Sequence, residues 1–365
     1  MKMPTDVIRE EILKSGAIPF ARFMELALYC PETGYYETNK ENVGCGGDFI
    51  TSVSTGSMFG ELLAFQFAEW LEEMRSANCE LRISEAGAHD GKLALDILNW
   101  LKTHRPKLFS EINYCIVEPS LCRQDWQRKT LKDFSNVHWF TDFENLKLKT
   151  KNSKLTGVLF SNELLDAFPV RRFGWDAQNK KWFEWGVMQD GEKFVWTKIS
   201  LVDLPSAISH QPSALLDVLP DNYTVEISPA AERWWREAAA ILAQGKLLAI
   251  DYGFNADEQF SPARVNGTLR AYHRHRVADD LLAQPGEQDL TAHVNFSAIQ
   301  KVGEEVGLKT ENYCTQSQFL THILQRAVVK KAFVSLDARQ VRQFQTLTHP
   351  DHLGRAFRVL VQARA

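Results

Sequence analysis

Arg82-Ile83-Ser84-Glu85-Ala86-Gly87-Ala88-His89-Asp90-Gly91-Lys92-Leu93-Ala94-Leu95-Asp96 decides the fold. An apolar run ends in Glu85, the chain turns on Gly87 and Gly91, and a helical pattern follows at once. A strand that stops at a glycine turn beneath a helix N-terminus aims backbone N–H groups into a crevice. Such a crevice suits a cofactor that carries a nucleoside.

The same alternation extends outward. Strands are expected over 81–85, 112–118, 137–140 and 157–161, with helices near 93–101 and 121–131. Strands alternating with helices predict an α/β fold on a parallel, doubly wound sheet. A helix over 230–243 and an apolar strand over 246–251, ending in Asp251-Tyr252-Gly253, resume the pattern. Ser297 with Gln300 reads as a capping box for a helix ending near Val306. The last strands are expected over 308–314 and 357–362, with Gly354 in a tight hairpin that closes an antiparallel edge. Residues 171–200 break the rhythm: RRFGW, WFEWGVM and FVWTKI are β-rich and separated by turn residues. They are expected to form an inserted hairpin or small sheet, the insertion running over about 171–220. Residues 255–295 are polar and read as a lid-like loop. The first 75 residues read as helical, with Pro19 opening one helix (Phe20, Phe23, Met24, Ala27, Leu28) and a second presenting Phe59, Leu62, Leu63, Phe67, Trp70 and Met74. The expected organisation is a helical region over 1–75 that packs on a catalytic domain over 76–365.

Composition narrows the classes. Hydrophobic residues at 44% and charged ones at 24% of 365 are ordinary for a globular protein, and the net charge of -4 argues against bulk binding to nucleic acid or anionic membrane. The six cysteines are scattered with no C-x-x-C pair, so neither a disulfide framework nor a metal site is expected. MKMPTDVIREEIL does not read as a targeting sequence, and no apolar run reaches membrane-span length, so no membrane insertion and a cytoplasmic location are expected.

Ligands of a doubly wound sheet bind outside the carboxyl ends of its strands. Those ends read Glu85-x-Gly87, Glu118-Pro119, Asp142-Phe143, Asn162-Glu163 and Asp251-Tyr252. A dinucleotide site needs G-x-G-x-x-G so that its pyrophosphate can approach the backbone; here there are two glycines and an acidic rim. Carboxylates repel phosphate and favour a cation bearing a ribose. S-adenosylmethionine, a sulfonium without phosphates, fits that description, with Glu118 placed to accept from ribose hydroxyls. In Asn162-Glu163-Leu164-Leu165-Asp166 two carboxylates three residues apart share one face of a helical turn. They suit a planar guanidinium, or equally a capped turn ended by Pro169. His273 and His275 lie in a basic, solvated segment. Gln288, Asp289 and His293 either face a substrate or satisfy loop backbone.

FARFMELALYCPETGYY, GDFITS followed by FGELLA, SNELLDAFPVRRF, IDYG, GTLRAYHRH and PGEQDLTAHVNFSAI together resemble the MidA-like family of S-adenosylmethionine-dependent methyltransferases. The resemblance covers about 18–319, with a weaker match at the C-terminal strand. It implies a class I (Rossmann-like) methyltransferase sheet, seven-stranded and mostly parallel with an antiparallel edge, plus an added helical region. It implies S-adenosylmethionine as cofactor and methyl transfer to arginine nitrogens of a protein; mitochondrial members assist assembly of respiratory complex I, a subunit of which is the eukaryotic substrate. Asp48, Glu85, Glu118, Glu163 and Asp166 match the family's positions. On this reading Glu163 and Asp166 are the catalytic pair, and Asp48, Glu85, Gly87, His89, Gly91, Glu118 and Asn162 hold the cofactor. His89 replaces a family glycine, and Val53-Ser54 stands where the family has Pro-Glu. These departures leave a catalytically weak or inactive assembly factor as an alternative, beside a small-molecule methyltransferase with a closed pocket.

Overall fold

The computed structural model describes residues 2–38, 51–75, 80–149, 154–209, 211–273, 276–333 and 335–365. Seven strands build the central sheet: β1 (Leu81–Ala86), β2 (Ile112–Val117), β3 (Val137–Phe140), β4 (Leu155–Asn162), β5 (Leu242–Phe254), β6 (Lys309–Thr315) and β7 (Phe357–Arg364). Their order is β3-β2-β1-β4-β5-β7-β6. The first five run parallel, and β7 is antiparallel to both β5 and β6. A two-residue strand, Val294–Asn295, adds to the far end of β5.

Every residue of β1 is buried, as expected for a parallel strand covered on both faces. One face carries helices Met58–Met74, Lys92–His104 and Gln316–Val329, whose side chains join those of the sheet in one core. Phe59, Phe65, Phe67 and Phe160 are fully buried there, each contributing roughly 1.5–3 kcal/mol of apolar burial. The other face is covered by helices Pro229–Ile241 and Phe296–Glu305, with Trp235 at its centre.

Residues 171–199 form the expected antiparallel strands, Arg171–Asp176, Lys181–Asp190 and Lys193–Ile199. The sheet is larger than expected, because Thr224–Ile227 pairs with Arg171–Asp176 and Ile18–Pro19 with Lys181–Asp190. The N-terminal stretch is therefore not wholly helical. Its helices Pro4–Ser15 and Phe20–Tyr29 share a core with this sheet through Phe20, Phe23, Val170 and Val187.

Three local expectations are corrected. Residues 255–295 hold a three-stranded sheet of Arg270–His273, Arg276–Ala278 and Asp289–Thr291, strands too short to show alternation. The helix Phe296–Glu305 is capped by Asn295, which accepts the Ala298 N–H; Ser297 instead accepts from Ala256 N–H at 3.0 Å. No hairpin links β6 to β7, since helices Gln316–Val329 and Ala338–Thr348 intervene and Gly354 ends the turn before β7.

Candidate active site

The strand order reverses between β1 and β4, whose ends lie in register with Glu85 opposite Phe160 and Ala86 opposite Ser161. Crossovers leave the sheet in opposite directions there, which opens a crevice at the carboxyl ends. A cavity of about 770 Å³ fills it, within the span of small-molecule clefts, roughly 300–1,000 Å³.

The loop after β1 forms its floor. Gly87, His89 and Gly91 all have left-handed backbones, with φ of 72°, 46° and 83°. Glycine takes this conformation freely, whereas histidine pays roughly 1–2 kcal/mol. The neighbouring helix Leu121–Thr130 offsets that cost: Gln127 donates to the His89 carbonyl at 3.0 Å, and the imidazole meets Trp126 edge-on at 6.2 Å. The His89 ring thus leans toward that helix, with Nδ1 3.7 Å from Asp90. Below the loop, Tyr114 Oη donates to Glu85 at 2.6 Å, and burial pushes the Glu85 carboxyl up to about 8.

Glu118, just beyond β2, is 4% exposed. It accepts from Ser120 N–H at 3.1 Å and Gln127 Nε2 at 3.2 Å, and burial raises its pKa. Ser120 Oγ in turn donates to Glu37, and Arg123 Nε to the Tyr36 carbonyl.

The third wall is acidic. Asn162 Nδ2 and Ser52 N–H both donate to Glu163 Oε1, at 3.0 and 3.3 Å. Glu163 Oε2 and Asn162 Oδ1 are buried without a hydrogen-bond partner among the described residues. Burial, with help from Asp251 and Asp289, lifts Glu163 to about 8. Asp166 is buried beside it and is pushed well above the carboxylate range by desolvation, then by Asp251, Asp289 and Glu163. Glu163, Asp166 and Asp251 form no ion pair among the described residues. Burial and mutual repulsion thus act against negative charge on all three carboxyls.

Asp251, at the end of β5, is fully buried, and burial raises it to about 7 although four backbone N–H groups oppose the shift. Its Oδ2 accepts from Leu164, Leu165 and Asp166 N–H at 3.1, 2.8 and 3.4 Å, and its Oδ1 from Tyr252 N–H. That carboxylate fixes the turn that carries Glu163 and Asp166.

The structure therefore gathers Glu85, Gly87, His89, Glu118, Asn162, Glu163 and Asp166 around one cavity; Gly91 shapes the loop from behind without lining the cavity, its α-carbon facing Leu131 and Gln127, and Asp48 lies outside the described residues. Of the polar segment, Asp289 reaches the cavity, Gln288 donates to the Ala283 carbonyl, and His293 stacks on Phe254 with its pKa lowered to about 4 by burial. His273 contacts the Glu287 carbonyl. Tyr29 and Tyr36 also line the cavity: Tyr29 Oη donates to the Ala167 carbonyl at 2.9 Å and Tyr36 Oη to Asp289 at 2.7 Å. Their only sequence signal was position in the block FARFMELALYCPETGYY, because residue periodicity does not report contacts across 138 and 253 positions.

The strand order and a carboxylate-lined cavity at its reversal define a class I methyltransferase. The chain belongs to the family described as "Putative S-adenosyl-L-methionine-dependent methyltransferase", whose model matches residues 62–314. It is 27% identical to protein arginine methyltransferase NDUFAF7, mitochondrial, of Danio rerio, over 96% of this chain and 84% of that protein. It is 28% identical to the Homo sapiens protein of the same name, over 80% of this chain and 67% of that one. A Burkholderia thailandensis structure described as a "likely methyl transferase" and bound to S-adenosyl-homocysteine superposes with a TM-score of 0.84, at 30% identity over 99% and 92% of the two chains.

The cofactor is S-adenosylmethionine, and the residues present fit it. The floor leans the His89 ring aside, Glu118 stands at the β2 end, and Asn162 Oδ1 waits unpartnered. The expected cytoplasmic location is overturned, because the curated relatives are named as mitochondrial. The spacing of scattered cysteines does not say which compartment holds the chain.

Proposed function

We propose that the protein methylates arginine side-chain nitrogens of a protein substrate. The observation that carries this reading is the buried Glu163 Oε2, without a hydrogen-bond partner among the described residues, in a group of carboxylates that forms no ion pair among them. A guanidinium is planar, always charged, and matched to carboxylates through paired N–H donors. The relatives' names, protein arginine methyltransferase, support the same substrate chemistry.

When bound, S-adenosylmethionine supplies a methyl group activated by the sulfonium charge. Glu118 would accept from the ribose hydroxyls, while Glu85, Gly87, His89 and Gly91 shape the amino-acid end; Asp48 joins this set through the family motif. Asn162 stands between the cofactor and substrate halves of the cavity. Glu163 and Asp166 grip the guanidinium and aim one nitrogen at the transferred group, and such positioning supplies much of the acceleration. Methylation leaves the guanidinium charge unchanged and releases one proton. A guanidinium lying against Glu163 favours its ionised form, which then accepts that proton. The substrate class that the family resemblance points to is a respiratory complex I subunit. On the same reading, residues 1–75 pack on a catalytic domain over 76–365, supported by helix Met58–Met74 sharing the sheet's core.

Labelled methyl transfer to arginine peptides and to their lysine counterparts tests the proposal. Label should enter only the arginine peptides. Glu163→Gln and Asp166→Asn should each lower the rate by about 10²–10⁴-fold while S-adenosylhomocysteine binds as in the wild type. Equal labelling of lysine peptides, or a loss of cofactor affinity matching the loss of rate, would refute it.

A further inference from the structure

The cavity wall carries many carboxylates, yet S-adenosylmethionine brings a carboxylate of its own on the amino-acid end. Something must receive it. Among the described residues three long cations line the cavity: Lys92, Arg123 and Arg339. Two are already engaged. The Lys92 ammonium pairs with Asp96, and Arg123 lies over the Tyr36 ring at 4.7 Å while donating to its carbonyl. Arg123 also shares the β2 corner with Glu118, whose charge repels a second carboxylate.

Arg339 is different. It is exposed, and its guanidinium makes no hydrogen bond or ion pair among the described residues. Its helix, Ala338–Thr348, is anchored against the segment before helix Met58–Met74, because Gln343 accepts from Met58 N–H at 3.2 Å and closes on Gly56. Arg339 lies four residues before Gln343 and so shares that face, one turn nearer the helix start. The Asp337 cap and the Gln340–Glu61 contact hold this turn in place. The same segment reaches the catalytic wall through Ser52 N–H and Glu163. Arg339 also lies beyond residues 62–314, outside the stretch that defines the family.

We infer that Arg339 binds the carboxylate of the cofactor's amino-acid end and sets the cavity's preference for an intact methionine moiety. The inference rests on this cavity being the cofactor site. Guanidinium and carboxylate form charge-assisted, paired hydrogen bonds, which an exposed arginine can supply without any change in the fold.

Calorimetry with two ligands isolates the effect. S-adenosylhomocysteine carries the amino-acid end, and methylthioadenosine has the same nucleoside and sulfur without it. Arg339→Ala should weaken S-adenosylhomocysteine by about 10- to 100-fold and leave methylthioadenosine unchanged, so that binding of the second ligand also certifies folding. Arg339→Lys should recover part of the loss. Added salt should erode S-adenosylhomocysteine affinity more in the wild type than in Arg339→Ala. Unchanged S-adenosylhomocysteine affinity in Arg339→Ala, or equal weakening of both ligands, would overturn the role of Arg339 alone. Failure of the wild type to bind either ligand would overturn the cofactor site and the role of Arg339 with it.

Discussion

Glu163 has a left-handed backbone, φ 50°, and a carboxylate oxygen with no hydrogen-bond partner among the described residues. Both features cost stability, and such costs cluster where a site must be pre-shaped for its ligand. The pH dependence should expose them. The folded pKa of Glu163, about 8 through burial, lies above the ordinary 4.5. The folded protein therefore binds more protons than the unfolded chain between these values. The contribution is fully present below pH 4.5 and is lost as pH rises through 8. Glu85 shifts in the same direction for the same reason. In the absence of ligand, the melting temperature should fall between pH 6 and pH 8.5, and Glu163→Gln should flatten that slope while raising the value at pH 8.5. Parallel melting curves for the two proteins would count against a buried, strained carboxylate. Glu163 and Asp166 were legible in the sequence because they sit three apart at a strand end. Asp289 was ambiguous, since a polar segment offers no period that says which residue faces inward.

Among the elements, the turn after β4 shows how a loop is made rigid. Asp251, contributed by β5, accepts three consecutive N–H groups of that turn. Asp251→Ala would leave buried donors unsatisfied, a loss on the order of 3 kcal/mol. It should lower transfer with the substrate KM rising, while S-adenosylhomocysteine affinity holds; steady-state kinetics beside urea unfolding checks both. A variant as stable and as active as the wild type would show that the turn holds itself. The strand itself was legible, an apolar run ending in Asp251-Tyr252-Gly253. Its partner contact was not, because residues 164 and 251 meet only through parallel pairing of β4 with β5. The capping pattern at Ser297 misled for a related reason: the same hydroxyl found a tertiary donor at Ala256, and Asn295 took the cap.

Across the whole molecule, the site is an assembly of distant pieces. The sheet supplies Glu85, Glu118, Asn162 and Glu163, the N-terminal helices deliver Tyr29 and Tyr36, and the small third sheet delivers Asp289. The parallel sheet was legible as alternating strands and helices. The three-stranded sheet and the edge strand Thr224–Ile227 were not, since three or four residues are too few to show a period. A crystal structure with S-adenosylhomocysteine and an arginine peptide bound together decides the matter. The ribose should sit at Glu118 and the guanidinium against Glu163 Oε2 and Asp166. A guanidinium bound elsewhere, or the His89 imidazole turned across the cavity with the cofactor excluded, would contradict that placement.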